Sequence, residues 1–262
     1  MKKILFKNNI PQIQKICLSG LFIALIMILN KVVAINYIPI IPFVRVSFGG
    51  NALLIFASYF LGPIYGIAIG AFSDLLGYFI FDPKTFGFFP QITLTYLLIG
   101  FLPYFIFSLV KLIKSKKVMF CVQNGVFAVI FSLVTLFLFS QKSFTLYSAT
   151  YTLELYQKII IVSLMFILFC LLNVLNFFLD RKYKNEYFNV HQVSFVAFLV
   201  ELLVVLAFGA LMKAWAFGFN MFYVIFITQG ILLFLNVPLN TYIILLIMRL
   251  SKNFYKGDTY HE

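Results

Sequence analysis

Apolar residues run in long blocks along this chain, broken by short polar stretches. The blocks lie at about 16–35, 47–62, 63–81, 89–110, 118–140, 155–179, 192–214 and 221–248, close to the ~20 residues that a helix needs to cross a bilayer. They predict eight membrane helices. The first block has no small-residue cleavage site after it, so it is expected to remain as a span and not to act as a cleaved signal peptide.

One stretch carries more pattern than the rest, Gly62 to Gly77. Gly62-Pro63 predicts a tight turn. Gly66, Gly70, Ser73 and Gly77 then recur three or four residues apart, on one helical face. Small residues on that face let another helix approach closely, which is how helices pack in lipid. Asp74 sits among them in an apolar span. A carboxylate at that depth is costly unless it faces a polar cavity or a partner.

Composition agrees with the pattern: 63% of residues are hydrophobic, 11% are charged and mean hydropathy is +1.03. Soluble domains run at roughly 45–50% apolar and 25% charged. The net charge of +12 does not point to nucleic acid here, because the cations sit in short runs between spans. The runs are Lys2, Lys3, Lys7 and Lys15; Lys111, Lys114, Lys116 and Lys117; Arg181, Lys182 and Lys184; and Arg249, Lys252 and Lys256. With eight spans, all four runs fall on one side, so both termini are expected in the cytoplasm.

Visible chemistry is sparse. Cys17, Cys121 and Cys170 lie far apart in apolar segments and show no metal or disulfide spacing. The chain has no G-x-x-x-x-G-K-[ST] loop, no H-E-x-x-H and no paired catalytic carboxylates. No enzyme, cofactor or metal site is expected.

Four ordered motifs carry a resemblance. They are Arg45-Val46-Ser47-Phe48-Gly49, Gly62-Pro63-Ile64-Tyr65-Gly66, Gly70 to Gly77, and Phe88-Phe89-Pro90-Gln91-Ile92-Thr93-Leu94. The run resembles the substrate-binding S components of energy-coupling factor (ECF) vitamin transporters, most of all the folate group. The resemblance implies a six-helix all-α membrane bundle in the cell membrane that binds its vitamin on the outer side. It implies three protein partners: a transmembrane coupling subunit and two cytoplasmic ATPase subunits. Eight spans against six imply an inserted helix pair. The chain then divides into 1–115 with four spans, 116–190 with the insertion, and 191–262 with the last two spans and a basic tail. Where folate S components carry arginines, this chain has Ile99 before Gly100 and a polar residue near Gln229. Riboflavin or thiamine is therefore an alternative substrate, and a stand-alone secondary transporter an alternative class.

The family's docking motif A-x-x-x-A is matched by Gly20-Leu21-Phe22-Ile23-Ala24. Gly20 and Ala24 are thus expected to meet the coupling subunit. Arg45 and Lys84, in the two outer loops, are expected to meet a substrate carboxylate. Phe48, Phe88 and Phe89 are placed to stack on a flat heterocycle. Asn51, Asp74, Gln91, Thr93, Thr95 and Gln229 are polar residues near the outer side that could read its edge. Asn236 and Asn240 lie one turn apart, with Pro238 between them, as either part of that polar stripe or glue between helices. Glu201 and Lys213 share the seventh span, ~18 Å apart along an ideal helix and too far to pair.

Overall fold

A computed structural model describes residues 11–34, 47–81, 87–113, 115–141, 143–146, 149–182 and 189–256. Helix α1 (Gln12–Met27) continues into a π-helical turn, Ile28–Val32. Helices α2 (Gly50–Leu61), α3 (Pro63–Phe81) and α4 (Pro90–Val110) come after it. Next come α5 (Lys116–Ser140), a hairpin of β1 (Ser143–Leu146) and β2 (Ala149–Thr152), and α6 (Leu155–Lys182). Helix α7 (Val190–Val200) passes through a π-helical stretch, Glu201–Phe208, into α8 (Gly209–Phe217). A short 3-10 turn, Phe219–Met221, leads into α9 (Phe222–Lys256).

Among the described residues, seven helical runs are long and apolar enough to cross a membrane. The chain is an all-α polytopic membrane protein. The second of the eight expected spans, at 47–62, is shorter than its apolar block. Gly49 takes the left-handed conformation (φ +79°), so the helix begins only at Gly50. Its 12 residues rise ~18 Å, short of the ~30 Å hydrocarbon core. This helix is central: every residue except Asn51 and Tyr59 is buried. The other helices shield it from lipid.

The predicted turn at Gly62-Pro63 is present, with Gly62 at φ +101°. It sends the chain straight into α3. The small-residue face of α3 is buried, with Gly66, Gly70, Ser73 and Gly77 all inside. A Cβ on Gly66 would strike the carbonyl oxygen of Gly100, and one on Gly100 would strike that of Gly66. A Cβ on Gly70 would strike the carbonyl oxygen of Tyr96. Helices α3 and α4 therefore meet backbone to backbone. Van der Waals contact on this scale is what holds helices together when lipid is as apolar as the side chains.

Helices α5 and α6 pack on α7 and α9. Phe127 of α5 is 1% exposed. Its ring lies 5.8 Å from Phe169, 5.1 Å from Phe198 and 5.0 Å from Phe234, on α6, α7 and α9. Beside it, Gln123 Nε2 and Asn176 Nδ2 donate to Ser194 Oγ at 3.2 and 3.1 Å. Three helices are thus joined at one hydroxyl. Lys158 Nζ donates to the carbonyl of Gln141 at 2.6 Å, and Lys116 pairs with Asp180 at 2.6 Å, tying the two ends of the pair. Phe127→Ala should lower stability by ~3 kcal/mol through the cavity it leaves. Thermal unfolding of the variant beside the wild type checks it.

Candidate functional site

At one end of the bundle α1, α3 and α8 finish while α2, α4 and α9 begin. A cavity of about 420 Å³ opens there. That volume lies within the range of small-molecule sites, ~300–1,000 Å³. Its lining is unusually polar for a membrane core. Asn30 and Lys31 come from the π turn after α1, Asn51 from α2, and Asp74 from α3. Thr95, Tyr96 and Ile99 come from α4, Lys213 and Phe217 from α8, and Thr228, Gln229 and Asn236 from α9.

Local folding rules explain how these side chains arrive. The π turn carries one residue more per turn than an α-helix, which rotates the residues beyond it. It presents Asn30 and Lys31 at the end of α1. A Cβ on Gly50 would strike the Asn30 amide, so the bare glycine makes room for it. The stem of Lys31 likewise lies over Gly77, where a Cβ would come within 3.3 Å of its Cε. Thr93 Oγ1 donates to Asp74 Oδ2 at 2.7 Å, joining α3 to α4. Lys31 and Asp74 line the same cavity.

Behind the cavity lies Glu201, the first residue of the second π stretch and 1% exposed. Its Oε1 accepts from Asn51 Nδ2 at 2.9 Å and from Asn240 Nδ2 at 2.7 Å. Its Oε2 accepts from Asn236 Nδ2 at 3.4 Å. A buried carboxylate survives only when its lone pairs are occupied, and three amide donors do that here. Asn236 and Asn240 flank Pro238, whose missing N–H opens the α9 hydrogen-bond ladder at that level.

The predicted site residues separate into groups. Asn51, Asp74, Thr95 and Gln229 line the cavity together. Thr93 is buried and reaches the cavity through Asp74. Phe89 packs at 4.8 Å on Phe217, a lining residue. Phe48 packs against the apolar core instead. Phe88 is 36% exposed and lies on Phe79 and Tyr78 at 6.2 and 5.5 Å, outside the cavity. Gln91 is half-buried in the first turn of α4 and does not line the cavity. Arg45 and Lys84 fall outside the described residues.

Sequence reasoning did not single out Asn30, Lys31, Lys213, Thr228 or Glu201 as site residues. A signal for two of them was present, since ionisable residues within apolar spans are rare and costly. Glu201 and Lys213 both met that condition.

Gly20 and Ala24 are exposed on the outer face of α1. No described atom lies within 4 Å of a Cβ built on Gly20. Among the described residues, no group of His, Cys, Asp and Glu is arranged to hold a metal ion. Compared with family models, curated proteins and solved structures, the chain matches none of them.

Proposed function

We propose that this chain is the substrate-binding S component of an ECF-type importer in the cell membrane, taking up a vitamin, with folate favoured. The observation that carries the proposal is the polar cavity of about 420 Å³ at one end of an otherwise apolar bundle. With both termini cytoplasmic, that end faces outward, where an importer must first meet its substrate. Two lysines in the cavity suit an anionic ligand, and its amides and hydroxyls suit a hydrogen-bonding heterocycle. Helices α1–α4 with α7–α9 form the six-span core, counting α7 and α8 as one, and α5 with α6 are the inserted pair.

The partners are a transmembrane coupling subunit and two cytoplasmic ATPases. The open face of α1 at Gly20 and Ala24 supports a docking role over packing within the bundle. Gly20→Leu or Ala24→Leu should disrupt assembly with the coupling subunit while leaving the isolated protein folded and able to bind substrate. Normal assembly and transport by both variants would remove this face from the docking role.

Affinity purification from native membranes tests the class. An S component brings down a membrane coupling subunit and two ATPases, whereas a stand-alone secondary transporter comes down without them. Native mass spectrometry of the same sample identifies the bound molecule.

A further inference from the structure

Glu201 does not line the cavity, yet it holds two residues that do. Asn51 and Asn236 both sit on the cavity wall, and both point Nδ2 at the Glu201 carboxylate. A carboxylate is an acceptor only, so it dictates which end of each amide faces it. One N–H of each is committed to Glu201, so each amide is turned with its carbonyl Oδ1 away from the carboxylate and available as an acceptor. Asn240, one turn further along α9, supplies the third donor at 2.7 Å and stays off the wall. Without the carboxylate, an asparagine amide can turn over and present either a donor or an acceptor.

We infer that Glu201 is a positioning residue that sets the Asn51–Asn236 wall as a hydrogen-bond acceptor, selecting ligands whose edge carries N–H donors. This rests on the vitamin-binding reading and narrows it. An amino-substituted nitrogen heterocycle meets the requirement, and a purely carbonyl-edged one does not. Asp74, a third acceptor on the lining, strengthens the preference. Discrimination of this kind is sharp, because a buried polar group left without its partner loses a hydrogen bond it had with water.

The test measures the ratio of two affinities, which a loss of stability alone does not alter. Folate and its 2-desamino analogue are titrated into the full-length protein in nanodiscs by calorimetry. The wild type should prefer folate by about tenfold or more. Glu201→Gln keeps the shape but replaces one acceptor oxygen with an NH2 group, so one wall amide must turn. The preference should fall towards unity. The retained oxygen takes the two short bonds from Asn51 and Asn240, so Asn236 is the amide that turns. Adding Asn236→Asp to that variant restores an acceptor on the wall and should restore the preference. Asn236→Leu removes one wall acceptor with the carboxylate still present, and should cut the same ratio. An unchanged ratio in Glu201→Gln or Asn236→Leu, with folate still bound, overturns the inference and leaves the S-component proposal standing. Equal losses for both ligands do the same, since they mark a merely structural role. A wild type that binds neither compound overturns the folate reading, and this inference with it.

Discussion

Gly100→Leu is expected to yield little or no folded protein, and Gly66→Leu the same. A side chain at either position runs into the partner helix's carbonyl oxygen. A backbone atom cannot turn aside as a flexible side chain can. The helices must separate along their whole contact, and α3 and α4 carry Asp74, Thr93, Thr95 and Ile99 between them. Overpacking a well-filled core costs ~1–3 kcal/mol, and a clash with rigid backbone belongs at or above the top of that range. Size-exclusion chromatography in detergent with a thermal melt measures it. Gly20→Leu is the matched control, because nothing described lies within 4 Å of its Cβ. A monodisperse Gly100→Leu protein with an unchanged melting temperature would mean that the helices do not meet at this distance.

The second large effect concerns ligand charge. Under the proposed folate function, Lys31→Met and Lys213→Met are each expected to weaken folate binding by about tenfold to a hundredfold. Both lysines line the cavity. A charge-assisted hydrogen bond to a carboxylate contributes ~1.5–3 kcal/mol, and 1.4 kcal/mol is a factor of ten in affinity. Methionine keeps the stem's apolar volume, so the loss reports the charge and not the packing. A pterin without the glutamate tail should lose much less. Calorimetry with folate, the tail-less pterin, riboflavin and thiamine separates the cases. Tight binding of a neutral or cationic vitamin, indifferent to both lysines, would exclude folate and leave the importer class open.

The two π stretches bear on both expectations. One presents Asn30 and Lys31, and the other begins at Glu201. Such turns cost helix regularity, persist where surrounding contacts hold them, and occur often at functional sites. Here both adjoin the cavity that gathers the bundle's polar residues. Gly50 and Gly77 leave space for Asn30 and Lys31 in turn. The site is therefore built by adjustments in several helices at once.

Class and order of elements were legible in the chain before any packing was known. Apolar blocks near bilayer length predict spanning helices on their own, because no backbone group can go unpaired in lipid. The turn at Gly62-Pro63 and the small face of α3 were also legible, since glycine spacing reports helix–helix approach directly. Part of the site was legible for a related reason: Asn51, Asp74, Thr95 and Gln229 stand out as polar residues in apolar spans. What those residues face depends on how the helices assemble. The Glu201 carboxylate receives amides from α2 and α9, 150 and 39 positions away in the chain for Asn51 and Asn240. No local period encodes contacts that distant. The rotation added by a π turn also changes which face a residue such as Lys31 presents, so ideal helical spacing does not place it. Phe88 and Phe89 make the same point as neighbours, one on the outer surface and one against the cavity wall. Adjacent residues point apart on a helix or an extended segment, and only the packing of α4 against α3 and α8 settles which of them meets the site.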